Sequence, residues 1–167
     1  MSVYKMATDL ELNQALSQKI SDLEEQLELI TFQRDAITRV VPGKFSYLDA
    51  QLRYQYVSQE YQEWYQKPSE EIVGKTVEDL MGTEGAQKLQ KYLDMALAGQ
   101  EVHYEFTKRF EDGEERTMVI DYIPHLSHRG EVLGFFASCL DVTELKHLRE
   151  ALQEKTQSQL VGAGVSA

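Results

Sequence analysis

The stretch GFFASCLDVTEL, at residues 134–145, constrains the fold of this chain more than any other segment. Its first half is apolar on both alternating faces, which predicts a strand buried on both sides of a sheet. Asp141 follows at once, with Glu144 three residues later, a spacing typical of a capped helix start. The sequence therefore predicts a central strand that runs without a loop into an outgoing helix over residues 142–158.

Ahead of this region, residues 9–41 contain neither proline nor glycine and carry an apolar 4-3 repeat over about four heptads. This pattern predicts a coiled-coil helix that forms a homodimer, and the polar Asn13 and Arg34 at position a favour a defined register. The alternative is one amphipathic helix that lies on its own domain. The residues expected at the dimer interface are Leu16, Ile20, Leu23, Leu27, Ile30 and Ile37.

Residues 42–141 have the signals of a mixed domain, with two short strands, three helical pieces and three long strands in that order. Asp112 and Gly113 predict the hairpin turn between two of the long strands. The order predicts an α+β fold, a five-stranded antiparallel sheet with its helices on one face, flanked by N-terminal and C-terminal helices. We expect residues 1–8 to be disordered, and also residues 159–167, where periodicity is lost.

The charge balance limits the partners that the chain can bind. A net charge of −11 argues against contact with nucleic acid, and equally against docking on an anionic membrane surface. The single cysteine, Cys139, cannot form an internal disulfide, and no segment has the length and apolarity of a membrane span. These features predict a soluble cytoplasmic protein.

Three stretches resemble the PAS family of sensory domains. They are YVSQEYQEWYQKPSEEIVGKTVEDLMG, then EFTKRFEDGEERTMVIDYIPHLSHRGEVLGFF, and finally LDVTEL, which is similar to the family's Asp-Ile-Thr signature between the last strand and an output helix. The resemblance covers residues 44–148. It departs from the family at Ser58, Gln66 and His128, where Asn, Gly and Asp are frequent.

The resemblance implies a small-molecule pocket between the sheet and the long helix, and a signal junction at Asp141, Thr143 and Glu144. The same aromatic and aliphatic spacing would also suit a core filled by its own side chains. The residues that the resemblance places around the pocket are Trp64, Tyr65, Leu80, Leu89, Tyr92, Leu93, Tyr104, Phe106, Met118, Ile120, Tyr122, Phe136 and Ser138.

The resemblance leaves the cofactor undefined. Flavin-binding members carry a reactive cysteine in the helical section, whereas Cys139 is predicted on the last strand, and haem-binding members supply a histidine from the long helix, which has none here. The four histidines lack the spacing of a metal site, and no phosphate-binding loop or nucleophile motif is present. We therefore expect neither a metal site nor catalysis.

The functional prediction is a homodimeric sensory module that relays the binding state of a ligand or a signalling partner to its C-terminal helix. Two alternatives remain open. One is a scaffold with a filled core that binds partners and senses nothing. The other is the regulatory front part of a larger histidine kinase or diguanylate cyclase.

Overall fold

The computed structural model describes the backbone of residues 2–110 and 113–163, and the side chains of residues 9–110 and 113–157. The chain divides into two compact units, Met1–Val41 and Pro42–Ala167. Asp112 of the expected hairpin turn and residues 164–167 of the expected disordered tail lie outside the described residues.

The first unit is a single helix, α1 (Ser2–Val40), of 39 residues. It begins before the expected start at residue 9, so residues 2–8 are helical where disorder was expected. The reason is that neither proline nor glycine interrupts the chain before Pro42, so a helix once formed can extend to both ends. The six residues expected at the dimer interface are each 51 to 65% exposed within α1.

The second unit is built on a five-stranded antiparallel sheet in the order β2-β1-β5-β4-β3. This confirms the predicted fold class and the central position of the last strand. The strands are β1 (Lys44–Asp49), β2 (Tyr54–Val57), β3 (Val102–Arg109), β4 (Glu115–Leu126) and β5 (Val132–Asp141).

Three helices cover one face of the sheet, which we call the inner face. They are α2 (Gln59–Tyr65), α3 (Ser69–Ile72) and α4 (Val77–Leu97). Thr76 and Asp79 form a capping box at the start of α4, since each side chain accepts a hydrogen bond from the other residue's backbone N–H. Gly82, with φ 75°, bends α4 at the place where the sequence predicts two separate helical pieces.

The core lies between these helices and β5. Phe135 is fully buried, with Ile72 and Leu93 from the helices and Leu48 from β1 around it. On the other face of the sheet, the outer face, the ring of Phe136 stacks on Phe45 with centroids 5.8 Å apart.

β5 passes into the last helix, α5 (Thr143–Ala163), with only Val142 between them. The predicted direct junction is therefore present. α5 continues to residue 163, past the expected end at residue 158, because adding a residue to an existing helix needs no new nucleus. Its apolar residues Leu145, Leu148 and Leu152 are exposed.

Candidate functional site

A cavity of about 630 Å³ lies between the inner face of the sheet and the helices α2 and α4. This volume is in the range of small-molecule sites in proteins, which run from about 300 to 1,000 Å³. Most of the residues that the sequence predicts for a pocket line it. They are Trp64, Tyr65, Leu89, Tyr92, Leu93, Tyr104, Phe106, Met118, Ile120 and Tyr122.

Two predicted pocket residues lie outside the lining, and a third, Ser138, lies in it with its hydroxyl bonded to the outer face. Leu80 packs against the core and does not line the cavity, and Phe136 stacks on Phe45 at the outer face. Ser138 is part of the lining, but its hydroxyl donates a hydrogen bond of 3.3 Å to Asp121, whose side chain alternates with the inward Ile120 and Tyr122. The prediction for Phe136 is therefore wrong by one position along β5, whereas Ser138 lies in the lining as expected.

A β-bulge explains this error. Leu126 pairs with Val132, but the next partners are His125 and Gly134, so Leu133 is an extra residue in β5. One extra residue reverses the faces of the strand beyond it. Consequently Phe135, Ala137 and Cys139 face the cavity.

Sequence reasoning missed a second part of the cavity wall, which comes from β1 and α2. Lys44, Ser46 and Leu48 alternate along β1 toward the cavity, and Tyr61 lies on α2. The alternation in KFSYLD indicates a strand with two distinct faces. It favours the wrong face as the inward one, because Phe45 and Tyr47 are larger than Ser46 and more apolar than Lys44. The lining also includes Tyr54, Val77, Met81, Gly85, Lys88, Glu105, Lys108 and Phe110.

Aromatic rings and phenol groups dominate the cavity. The rings of Tyr92 and Tyr104 stack with centroids 3.8 Å apart and planes 7° from parallel. The hydroxyl of Tyr61 donates a hydrogen bond of 2.8 Å to that of Tyr54. Burial raises the pKa of Tyr54, Tyr61 and Tyr122 well above the ordinary value. The cavity thus offers flat apolar surfaces together with neutral hydroxyl groups.

These buried phenols predict an alkaline limit to stability. Because their folded-state pKa is raised, their contribution to stability is complete below the unfolded pKa of about 10 and is lost as the pH rises toward the folded values. We expect phenolate absorbance from this cluster to appear together with the loss of circular dichroism. In Tyr122→Phe, the free energy of unfolding should decrease less steeply with pH above pH ~10 than in the wild type. Ionisation of the whole cluster in a still folded protein would contradict this prediction.

The junction at the end of β5 is held by hydrogen bonds to Thr143. The Asp141 carboxylate accepts from the backbone N–H of Thr143 at 3.0 Å and from its hydroxyl at 2.5 Å. The Thr143 hydroxyl oxygen in turn accepts from the backbone N–H of Thr117 at 2.9 Å, and Val142 N–H donates to the Thr117 carbonyl at 2.9 Å. The start of α5 is thereby tied to β4 as well as to β5.

Among the described residues, Glu144 does not complete the expected capping box, and its place in the signal junction stays a prediction. Within residues 9–110 and 113–157, no side-chain hydrogen bond returns from Glu144 to the backbone of Asp141. The helix begins at Thr143, one residue later than the capping-box pattern requires. Thr143 therefore makes the hydrogen bonds that join α5 to β4 and β5. A further contact sits one turn on, where Lys146 forms an ion pair with Glu105 of β3.

The charge of Asp141 is stabilised at this position. Partial burial by itself raises the pKa of Asp141, but the hydrogen bonds from Thr143 and the positive charges of Arg116 and Lys44 outweigh it and hold that pKa below the ordinary value. Cys139, which faces the cavity, has its pKa raised by burial. Lys44 acts electrostatically on both groups, so it connects the cavity with the junction.

The described residues contain neither a metal-site cluster nor a membrane-spanning helix. No group of three or more His, Cys, Asp or Glu side chains there has the arrangement of a metal site. None of the helices in the described part of the chain combines the length and apolarity that crossing a membrane requires.

The sheet, the cavity under its helices and the helix that leaves its central strand define a cavity-bearing α+β domain. The sequence profile of the PAS fold family matches residues 39–147, and the chain belongs to that family. No curated protein matches the chain.

Solved structures share the fold at low sequence identity. The PAS domain of BvgS from Bordetella pertussis has a TM-score of 0.57 at 19% identity, over 80% of this chain and 98% of that one. A sensory box sensor histidine kinase from Vibrio cholerae has a TM-score of 0.54 at 16% identity, over 71% and 98%. VqmA of Vibrio cholera, solved with ligand and DNA, has a TM-score of 0.56 at 18% identity, over 67% and 51%. This chain thus spans about half the length of VqmA.

Proposed function

We propose that the protein is a homodimeric, cytoplasmic PAS sensory module that relays the state of its cavity to α5. One observation carries the proposal: a single strand, β5, both lines the cavity and holds the start of the outgoing helix. Cys139 faces the cavity, and Asp141, two residues on, accepts the hydrogen bonds of Thr143. A displacement of β5 by a ligand therefore acts directly on the first turn of α5.

A second route supports the same relay. Tyr104 and Phe106 line the cavity from β3, and Glu105 between them pairs with Lys146 of α5. Thr107 is joined to the buried Thr117 by a hydrogen bond of 3.0 Å, which ties β3 to β4 at this place. Two states of this network need to differ by only a few kcal/mol for a ligand to shift the balance.

The cavity favours sensing over the alternative of a scaffold with a filled core, because about 630 Å³ is left between helices and sheet. A sensor histidine kinase is among the solved structures with this fold, which fits a chain that regulates a kinase or cyclase. The proposal assigns no catalytic step and no nucleic-acid contact to this chain, whose net charge is −11. A mass spectrum of the protein under native conditions, recorded directly after purification, tests whether a small molecule is retained.

The junction is tested by Asp141→Ala. We expect the domain to stay folded while amide hydrogen exchange in the first turn of α5 becomes about five to ten times faster, because a lost cap weakens a helix start by about 1 kcal/mol. Asp94→Ala is the matched control, since it removes an exposed carboxylate that accepts from Gln90 within α4. Equal exchange in α5 for the wild type and Asp141→Ala would show that Asp141 does not hold the junction.

A further inference from the structure

The charges around the cavity are opposite in sign to the charge of the chain. The net charge is −11, yet the described lining contains the lysines Lys44, Lys88 and Lys108 and one acidic residue, Glu105. Glu105 pairs with Val119 in the sheet, so its carboxylate projects from the outer face, where Lys146 binds it. The lining is therefore locally cationic.

Two of these lysines lie on aromatic rings at one end of the cavity. The Lys44 ammonium is 4.1 Å from the centre of the Trp64 ring, and the Lys108 ammonium is 5.8 Å from that of Phe110. The two rings meet edge to face, with centroids 5.4 Å apart. Lys44, Trp64, Phe110 and Lys108 thus form one continuous patch, which we call the cationic rim.

The lysines of the cationic rim are available to a ligand. Lys88 is held by Glu84 at 2.7 Å, but neither Lys44 nor Lys108 forms an ion pair with any residue in the described ranges. Lys44 acts on Asp141 electrostatically without an ion pair between them. A cation on an aromatic face keeps donor hydrogens for an anion, and a charged hydrogen bond there is shielded from water on one side.

The interior behind the rim suits a flat ring. The stacked pair Tyr92 and Tyr104 and the side chains of Phe106 and Ile120 give apolar surfaces, while buried tyrosine hydroxyls supply neutral hydrogen-bonding groups. A planar aromatic ring can make offset-stacked contacts with these tyrosine and phenylalanine rings, which a flexible aliphatic chain cannot make. A cationic ligand would meet repulsion from both lysines of the rim.

We propose that the cavity binds a small planar aromatic carboxylate, with its ring against Tyr104 and its carboxylate at Lys44 and Lys108. This rests on the proposed function, namely that the cavity takes a small molecule. Because Lys44 also acts on Asp141, an anion that engages Lys44 weakens its interaction with the junction. The ligand class thus supplies a direct electrostatic link between binding and the start of α5.

The test uses three probes that share the naphthalene ring on the purified full chain: 2-naphthoate, the neutral 2-naphthamide and the cationic 2-naphthylmethylammonium. Isothermal titration calorimetry should give the naphthoate an affinity at least about tenfold higher than the amide, and the ammonium the lowest. Lys44→Gln and Lys108→Gln should each reduce naphthoate affinity about tenfold and leave the amide within about twofold. Lys75→Gln, an exposed lysine outside the lining, is the control and should change neither affinity.

The outcomes separate the ligand class from the sensing proposal. Equal binding of naphthoate and naphthamide, or naphthoate affinity that neither rim variant lowers, overturns the anionic preference while the cavity remains a binding site. No binding of any probe overturns the aromatic carboxylate; the sensing proposal then falls only if native mass spectrometry also finds no retained molecule. Circular dichroism melting of each variant shows that a lost affinity is not lost folding.

Discussion

Gly134→Ala is expected to lower the free energy of unfolding by more than about 4 kcal/mol. Gly134 has φ 156°, and a Cβ atom there would lie 2.1 Å from the carbonyl oxygen of Leu48 and 2.9 Å from Cα of Asp49. Both atoms belong to the backbone of β1. Gly134 is paired with Asp49 on one side and His125 on the other, so the sheet cannot move away from a methyl group without losing pairing.

The matched control is Gly130→Ala, in the turn before β5. Gly130 has φ 80°, and nothing lies within 4 Å of the position of its Cβ. Alanine there meets only the strain of left-handed backbone, about 1 to 2 kcal/mol. Urea denaturation of both variants measures the difference. Similar losses for the two variants would mean that the close approach of β1 and β5 at Gly134 does not limit the fold.

The same position matters for the cavity. Gly134 follows the bulge residue Leu133, and the bulge sets which side chains of β5 face inward. A variant that relieves the clash by removing the bulge would turn Phe135 away from the core and Phe136 toward it. Gly134→Ala should therefore also disturb the cavity and the junction, and not stability alone.

The bulge also shows why part of the site could not be read from the sequence. In FFASCL, each face of the strand carries apolar residues, so alternation alone does not say whether Phe135 or Phe136 points inward. Counting back through an unbulged hairpin from Leu126 and Val132 would pair Ile120 with Ser138. The structure pairs Ile120 with Cys139. Bulges depend on tertiary packing, which a single sequence does not display.

The features that could be predicted were those with a local cause. The direct passage from β5 to α5 follows from an aspartate placed at the end of an apolar run, and the bend of α4 follows from Gly82. The cationic rim had no such signal. Lys44 lies on β1, Trp64 on α2 and Lys108 on the distant strand β3, so only the folded chain brings their charges and rings together.

Leu23→Glu together with Ile30→Glu is expected to convert the proposed dimer into a monomer. Leu23 and Ile30 occupy successive d positions of α1 and are 51% and 62% exposed in the single chain. In a two-stranded coiled coil each d residue fills a hole in the partner helix, so charges at two adjacent d layers face their own copies in an apolar seam. Size-exclusion chromatography with light scattering should give the mass of one chain, where the wild type gives two.

The control for this variant keeps the charge and moves it off the seam. Leu29→Glu with Phe32→Glu adds the same two carboxylates at positions c and f, where both side chains are already exposed at 55% and 70%. This double variant should retain the dimer mass, because c and f positions face water in a two-stranded coil. If both double variants stay dimeric, the dimer contact lies outside the heptad seam of α1; if both become monomers, helix stability and not the seam controls association. Only loss confined to the seam variant supports dimerisation through α1.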